Sequence, residues 1–71
     1  HSTNKEVYFE DCFRSLAKDN EEGHVFIHDL AEELLKNVKM FYSDDMIIRY
    51  VEARKVKGWL YEPKVGVLKR Q

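Results

Sequence analysis

The chain has 71 residues, of which 44% are hydrophobic and 35% are charged, and its formal net charge is −1 at pH 7. A chain of this size buries only about 60% of its extended surface on folding, which leaves room for one small core and excludes a second one. The single cysteine excludes an internal disulfide, and no signal peptide is visible, so we expect an intracellular setting, either the cytoplasm of a prokaryote or the nucleus. No apolar run is long enough to span a membrane, and no membrane contact is predicted.

The charges are divided unevenly along the chain. Residues 1–37 hold four lysines and arginines against nine aspartates and glutamates, whereas residues 38–71 hold eight against four. Lysine and arginine attract phosphate groups, so we expect any contact with nucleic acid to come from the second half of the chain.

The start of the chain predicts a first helix. Residues 1–3 are expected to be a disordered end or a remnant of cloning. Thr3 and Glu6 have the spacing of a capping box. Apolar residues recur at helical intervals over residues 4–18, and Cys12 lies on this apolar face as a small buried hydrophobe.

The middle of the chain predicts a short strand and two further helices. Val25-Phe26-Ile27 is short and rich in β-branched and aromatic residues, which favours a strand. Asp29 is expected to begin a second helix that runs to about Asn37. Residues 38–42 form a connection longer than the turn of a standard helix-turn-helix, and Ser43 is expected to cap the third helix.

The end of the chain predicts a hairpin. Gly58 suits the left-handed closing position of the third helix, and Trp59-Leu60-Tyr61 is rich in strand formers. Pro63 and Gly66 supply turn chemistry before Val67-Leu68 resumes the strand. If one hairpin strand pairs with the short central strand, the connectivity is that of a winged helix. The apolar faces of these elements predict a core of Phe9, Phe13, Leu16, Leu30, Leu34, Ile47, Val51 and Leu60.

The hairpin sequence resembles a recurrent domain ending. It follows the pattern G-x-I-Y-E-P-x-x-G-x-L-K, which is common at the end of the C-terminal winged-helix domain of archaeal MCM replicative helicases. This resemblance, which extends over most of the chain, implies an α+β winged helix-turn-helix domain at residues 4–71, with three helices and a small three-stranded antiparallel sheet. The matching residues are Gly58, Leu60, Tyr61, Glu62, Pro63, Gly66, Leu68 and Lys69.

The resemblance also implies a function. The chain would be a non-catalytic module that modulates helicase activity, while ATP binding and the main DNA channel would lie in other domains of the parent chain. No cofactor, metal or catalytic residue is predicted for the chain itself, because it has no glycine-rich phosphate loop, nucleophile elbow or CxxC motif. His24 and His28 bracket the predicted strand instead of lying on one helix face.

Basic and aromatic side chains of the second half are the candidates for DNA contact. Lysines of the hairpin would grip the phosphate backbone, and Tyr61 or Trp59 would stack on an exposed base. Asp44 and Asp45 oppose major-groove reading by the third helix, because they place negative charge at the end that would meet phosphates. We therefore expect weak, sequence-independent contact. The candidate residues are Arg49, Arg54, Lys55, Lys64, Lys69, Arg70 and Tyr61.

Two alternatives follow from other features. The first is a winged helix used only for protein contact, with Met40, Phe41 and Trp59 as anchors. The second is a degenerate EF-hand-like module, because Gly23 and Asp29 fall at the turn and last positions of a calcium loop. The first ligand position of that loop is Lys18, a cation where a carboxylate is needed, which argues against calcium.

Overall fold

The computed structural model describes residues 4–71, so the predictions for residues 1–3, including Thr3 as a helix cap, lie outside the described residues. Its elements are α1 (Lys5–Ala17), β1 (Val25–Phe26), α2 (Ile27–Leu34), α3 (Asp44–Val56), β2 (Leu60–Lys64) and β3 (Val67–Arg70). Strands β1 and β2 both pair antiparallel to β3, so the sheet order is β1-β3-β2. Over residues 4–71 the chain is an α+β domain of three helices and one three-stranded antiparallel sheet in a winged-helix layout, as predicted.

Local side-chain hydrogen bonds begin α1 and α3. Asn4 is the N-cap of α1, and its side chain accepts a hydrogen bond from the Val7 amide at 2.8 Å. Ser43 caps α3 as predicted, since its hydroxyl accepts from the Met46 amide at 3.2 Å. Each bond satisfies an amide that the first helical turn leaves without a partner.

The boundary between β1 and α2 differs from the prediction. Ile27, which was predicted to end the strand, is the first residue of α2, and Asp29 is its third. Among residues 4–71, no side chain caps this helix. Instead, the Ile27 amide donates to the carbonyl of Gly66 at 2.9 Å, so the hairpin supplies the acceptor that a capping side chain would otherwise supply. α2 also ends at Leu34, before the predicted Asn37.

The connection between α2 and α3 is long, as predicted. It turns at Asn37, whose carbonyl accepts from the amides of Met40 at 2.9 Å and Phe41 at 3.1 Å. This turn places the Phe41 side chain in the core, where it is fully buried.

One hydrophobic cluster joins all the elements. Every predicted core residue belongs to it except Leu16, which is partly buried and packs against it. Phe9 and Phe13 are fully buried, and each such side chain contributes roughly 1.5–3 kcal/mol through removal of its surface from water. The cluster consists of Phe9, Cys12, Phe13, Val25, Leu30, Leu34, Phe41, Ile47, Val51, Leu60 and Leu68.

The turn of the hairpin is closed by Glu62. Its carboxylate accepts a hydrogen bond from the Gly66 amide at 2.7 Å. Gly66 has φ +82°, a left-handed conformation that glycine adopts without a steric penalty. The register shifts between Tyr61 and Lys64, so the strand is irregular where Pro63 lies. Within residues 4–71, no helix combines the length and the apolar character that crossing a membrane requires.

Candidate nucleic-acid interface

The outer face of the sheet collects aromatic and basic side chains from all three strands. Val67 is paired with Phe26 on one side and with Lys64 on the other, and Lys69 is paired with Tyr61. Cross-strand partners point to the same side of a sheet, and so do residues two apart in a strand. We call Phe26, Tyr61, Lys64 and Lys69 the sheet platform; they surround Val67 on this face.

The opposite face of the sheet is buried against the helices. Val25, Leu60 and Leu68 are at most 1% exposed there. The alternation of the strands therefore turns the platform residues towards solvent. Phe26 is 53% exposed and Tyr61 is 38% exposed, so both rings are accessible. Neither Lys64 nor Lys69 takes part in an ion pair within residues 4–71.

Glu62, which lies next to the platform residue Tyr61 in the sequence, already has partners elsewhere in the domain. Glu62 forms an ion pair with Lys55 on α3 and accepts the Gly66 amide. The hydrogen bond from Lys55, together with that from the Gly66 backbone, lowers the pKa of Glu62. Hydrogen bonds to Glu52 and Glu62 raise the pKa of Lys55. This pairing argues against the predicted role of Lys55 in DNA contact, because two carboxylates already balance its charge.

Arg54 is buried, which argues against its predicted contact with DNA. It is 6% exposed, and its guanidinium carbon lies 5.7 Å from the centre of the Phe9 ring. Its guanidinium contacts Glu6 and Glu10, each at 3.2 Å. A buried arginine needs such partners because an unpaired buried charge is costly. Arg54 therefore ties α3 to α1 inside the domain.

Trp59 is partly buried and packs against the core, so neither its predicted role in base stacking nor its predicted role as a protein-contact anchor has a fully exposed ring behind it. The guanidinium carbon of Arg70 lies 4.0 Å from the ring centre, and that of Arg54 lies 5.1 Å away. Phe13 meets the ring edge to face with its centre at 5.3 Å. Arg70 also donates to the carbonyl of Trp59 at 2.8 Å. The indole thus packs against Phe13 and two arginines while staying partly exposed, whereas Arg70 is exposed at the end of β3.

The other predicted protein-contact anchors do not form an exposed surface. Phe41 is fully buried, and Met40 is partly buried against the core. The apolar side chains that this connection does expose are Val38, at 65%, and Tyr42, at 72%. Helical spacing could not show which apolar side chains of this connection are buried and which are exposed, because their directions depend on the turn at Asn37.

The solvent face of α3 carries no excess of positive charge. Asp44 and Asp45 occupy its first turn, where negative charge stabilises the helix dipole. Arg49 is exposed but pairs with Asp45 at 3.0 Å. Lys55 pairs with Glu52 at 2.8 Å. This arrangement offers phosphate little attraction and argues against insertion of α3 into a DNA groove.

The segment considered for calcium is stabilised by protein hydrogen bonds. The Asn20 side chain donates to the carbonyl of His24 at 2.7 Å and accepts from its amide at 2.9 Å. The following strand β1 pairs with β3 of the hairpin. Across residues 4–71, no group of three or more His, Cys, Asp or Glu side chains is arranged to hold a metal ion.

Comparison of the chain with protein-family models, with curated proteins and with solved structures gives no match.

Proposed function

We propose that the chain is a non-catalytic winged-helix module of a DNA-replication helicase, which modulates the helicase through weak, sequence-independent contact with single-stranded DNA. The observation that carries the proposal is the sheet platform, where two exposed aromatic rings lie beside two lysines without ion-pair partners in residues 4–71. The helicase context is supported by the resemblance of the hairpin sequence to MCM winged-helix domains. ATP hydrolysis would belong to other domains of the parent chain.

The platform suits single strands better than duplex DNA. A base can stack on an aromatic ring only when its face is free, as in a single strand, and each such contact is worth roughly 1–3 kcal/mol. Phe26 and Tyr61 lie on a sheet surface, where they can present ring faces to unpaired bases. Lys64 and Lys69 would meet the phosphates. Neither interaction distinguishes one base sequence from another, so the contact is sequence-independent.

Fluorescence anisotropy with labelled oligonucleotides tests this proposal. A single-stranded oligonucleotide should bind more tightly than a duplex of the same length. Two lysine–phosphate contacts predict an affinity loss of about sevenfold when salt is raised from 50 to 200 mM. The double variant Lys64→Glu with Lys69→Glu should abolish binding, whereas Lys18→Glu with Lys39→Glu, which changes the same charge elsewhere on the surface, should retain more of it. No binding by the unsubstituted domain at low salt would reject DNA contact and favour a module for protein contact alone.

A further inference from the structure

A shallow groove separates α2 from α3. Its volume is about 440 Å³. Side chains from both helices line it, and the apolar members Ile27, Ala31 and Leu35 are partly buried against the core. Ile48 is 50% exposed and contributes an apolar wall from α3. The full lining is Ile27, His28, Ala31, Glu32, Leu35, Asp44, Ile47 and Ile48.

The rim of this groove is negatively charged. Glu32 and Asp44 are the carboxylates of the lining, and neither has an ion-pair partner among the described residues 4–71. No lysine or arginine lines the groove, and α2 itself contains three acidic residues but no lysine or arginine. An apolar floor with unpaired carboxylates at its edges is complementary to a partner that has an apolar stripe between positive charges.

We propose that this groove docks an amphipathic helix of another polypeptide, with apolar side chains at helical spacing and lysines or arginines beside them. The groove lining follows α2 over its whole length of 8 residues, about 12 Å, and continues onto the first turns of α3 from Asp44 to Ile48. A partner helix of about two turns fits the 12 Å length along α2 and places its i, i+3, i+4 and i+7 side chains on the floor. Its cations meet Glu32 and Asp44.

The docking groove is independent of the DNA contact proposed above. It shares no residue with the sheet platform, and its lining contains Glu32 and Asp44 but no lysine or arginine among residues 4–71. Failure of one proposal therefore leaves the other unaffected. In a helicase, such a groove would let the module hold a basic segment of a partner protein while the platform faces DNA.

Titration of the isotope-labelled domain with two synthetic peptides tests the proposal. Both peptides have about 14 residues and the same leucine stripe, but one carries lysine and the other glutamate at the flanking positions. The lysine peptide should shift the amide signals of Ala31, Leu35 and Ile48 and bind at least about fivefold more tightly than the glutamate peptide. Equal affinity for the two peptides, no shift at millimolar peptide, or shifts confined to the sheet platform would each overturn the proposal.

Two exposed positions on α3 provide a matched pair of variants. Ile48→Asn removes an apolar wall of the groove and should weaken lysine-peptide binding about fivefold or more. Val56→Asn, at a position 88% exposed and outside the groove, should leave binding unchanged. Glu32→Lys should reduce the preference for the lysine peptide. Sedimentation of the free domain supplies a further criterion, because concentration-dependent dimers that Ile48→Asn abolishes would show that a second copy occupies the groove and would overturn the proposal.

Discussion

Glu62 on β2 and Lys55 on α3 form an ion pair that fastens the wing hairpin to the third helix. The second carboxylate oxygen of Glu62 accepts the amide of Gly66 at 2.7 Å. One side chain thus closes the turn between β2 and β3 and fixes the hairpin against the helix. The glutamate and glycine of the hairpin motif have a structural explanation here, since they hold Lys64 and Val67 in register on either side of the turn.

The first prediction concerns the strength of this junction. Glu62→Gln keeps an oxygen that can accept from Gly66 but removes the charge that pairs with Lys55, so it should lower the free energy of unfolding by about 1 kcal/mol. Urea denaturation measures the change. Glu52→Gln, which removes the more exposed partner of Lys55, is the control and should cost about 0.3 kcal/mol. Equal losses for the two variants would contradict a special role for Glu62.

The second prediction concerns pH. The pKa of Glu62 is lowered from its ordinary value of 4.5 by the hydrogen bond from Lys55 and by the Gly66 amide. Its contribution to stability is therefore fully present above the unfolded pKa and is lost as the pH falls through the lower, folded pKa. Melting curves of the parent and Glu62→Gln should differ at pH 6 and converge as the pH falls well below 4.5. A difference that grows on acidification would have the wrong sign.

The third prediction concerns the core. Phe13 is fully buried and packs against the ring of Trp59. Phe13→Ala should cost about 3–5 kcal/mol, which approaches the whole stability of a small domain. Phe13→Leu, which leaves a smaller cavity, should stay folded and melt at a lower temperature than the parent. Val65→Ala, at a position 98% exposed, should leave the melting temperature unchanged. An unchanged melting temperature for Phe13→Leu would show that α1 packs in another register.

The fourth prediction separates structural cations from those proposed to meet DNA. Arg54→Gln should destabilise the domain by about 2 kcal/mol, because it removes the ion pairs with Glu6 and Glu10 and the contact with the Tyr50 hydroxyl. Its DNA affinity under native conditions should stay within about twofold of the parent. Lys69→Gln should show the opposite pattern, with stability retained and affinity reduced. A fall in affinity for folded Arg54→Gln would place this arginine at the interface.

Elements whose signals are local could be predicted from the sequence. The apolar spacing of α1 and α3, the Ser43 cap and the turn at Gly66 all depend on residues within a few positions of one another. The boundary at Ile27 could not be predicted in this way. Its amide donates to the carbonyl of Gly66, a residue far along the chain, and this bond lets the helix begin two residues before the predicted start at Asp29.

The candidate site could be identified only from the register of the sheet. Phe26 was predicted only as a strand residue, yet pairing with Val67 brings it to the same face as Tyr61 and Lys69. Composition counted Arg54 among the basic residues, but it could not show that Glu6 and Glu10 of α1 surround it. Burial and ion pairing thus decide which cations of the second half remain available.

The most direct test of the DNA-contact proposal is to record amide spectra of the isotope-labelled domain at low salt while unlabelled single-stranded DNA is added. The proposal predicts that the largest shifts occur at Phe26, Tyr61, Lys64 and Lys69, and that raising the salt reverses them. It also predicts small shifts at residues 44–49, the start of α3. Shifts concentrated at residues 44–49, or the same spectrum with and without DNA at low salt, would contradict the proposal that the sheet platform is the nucleic-acid interface.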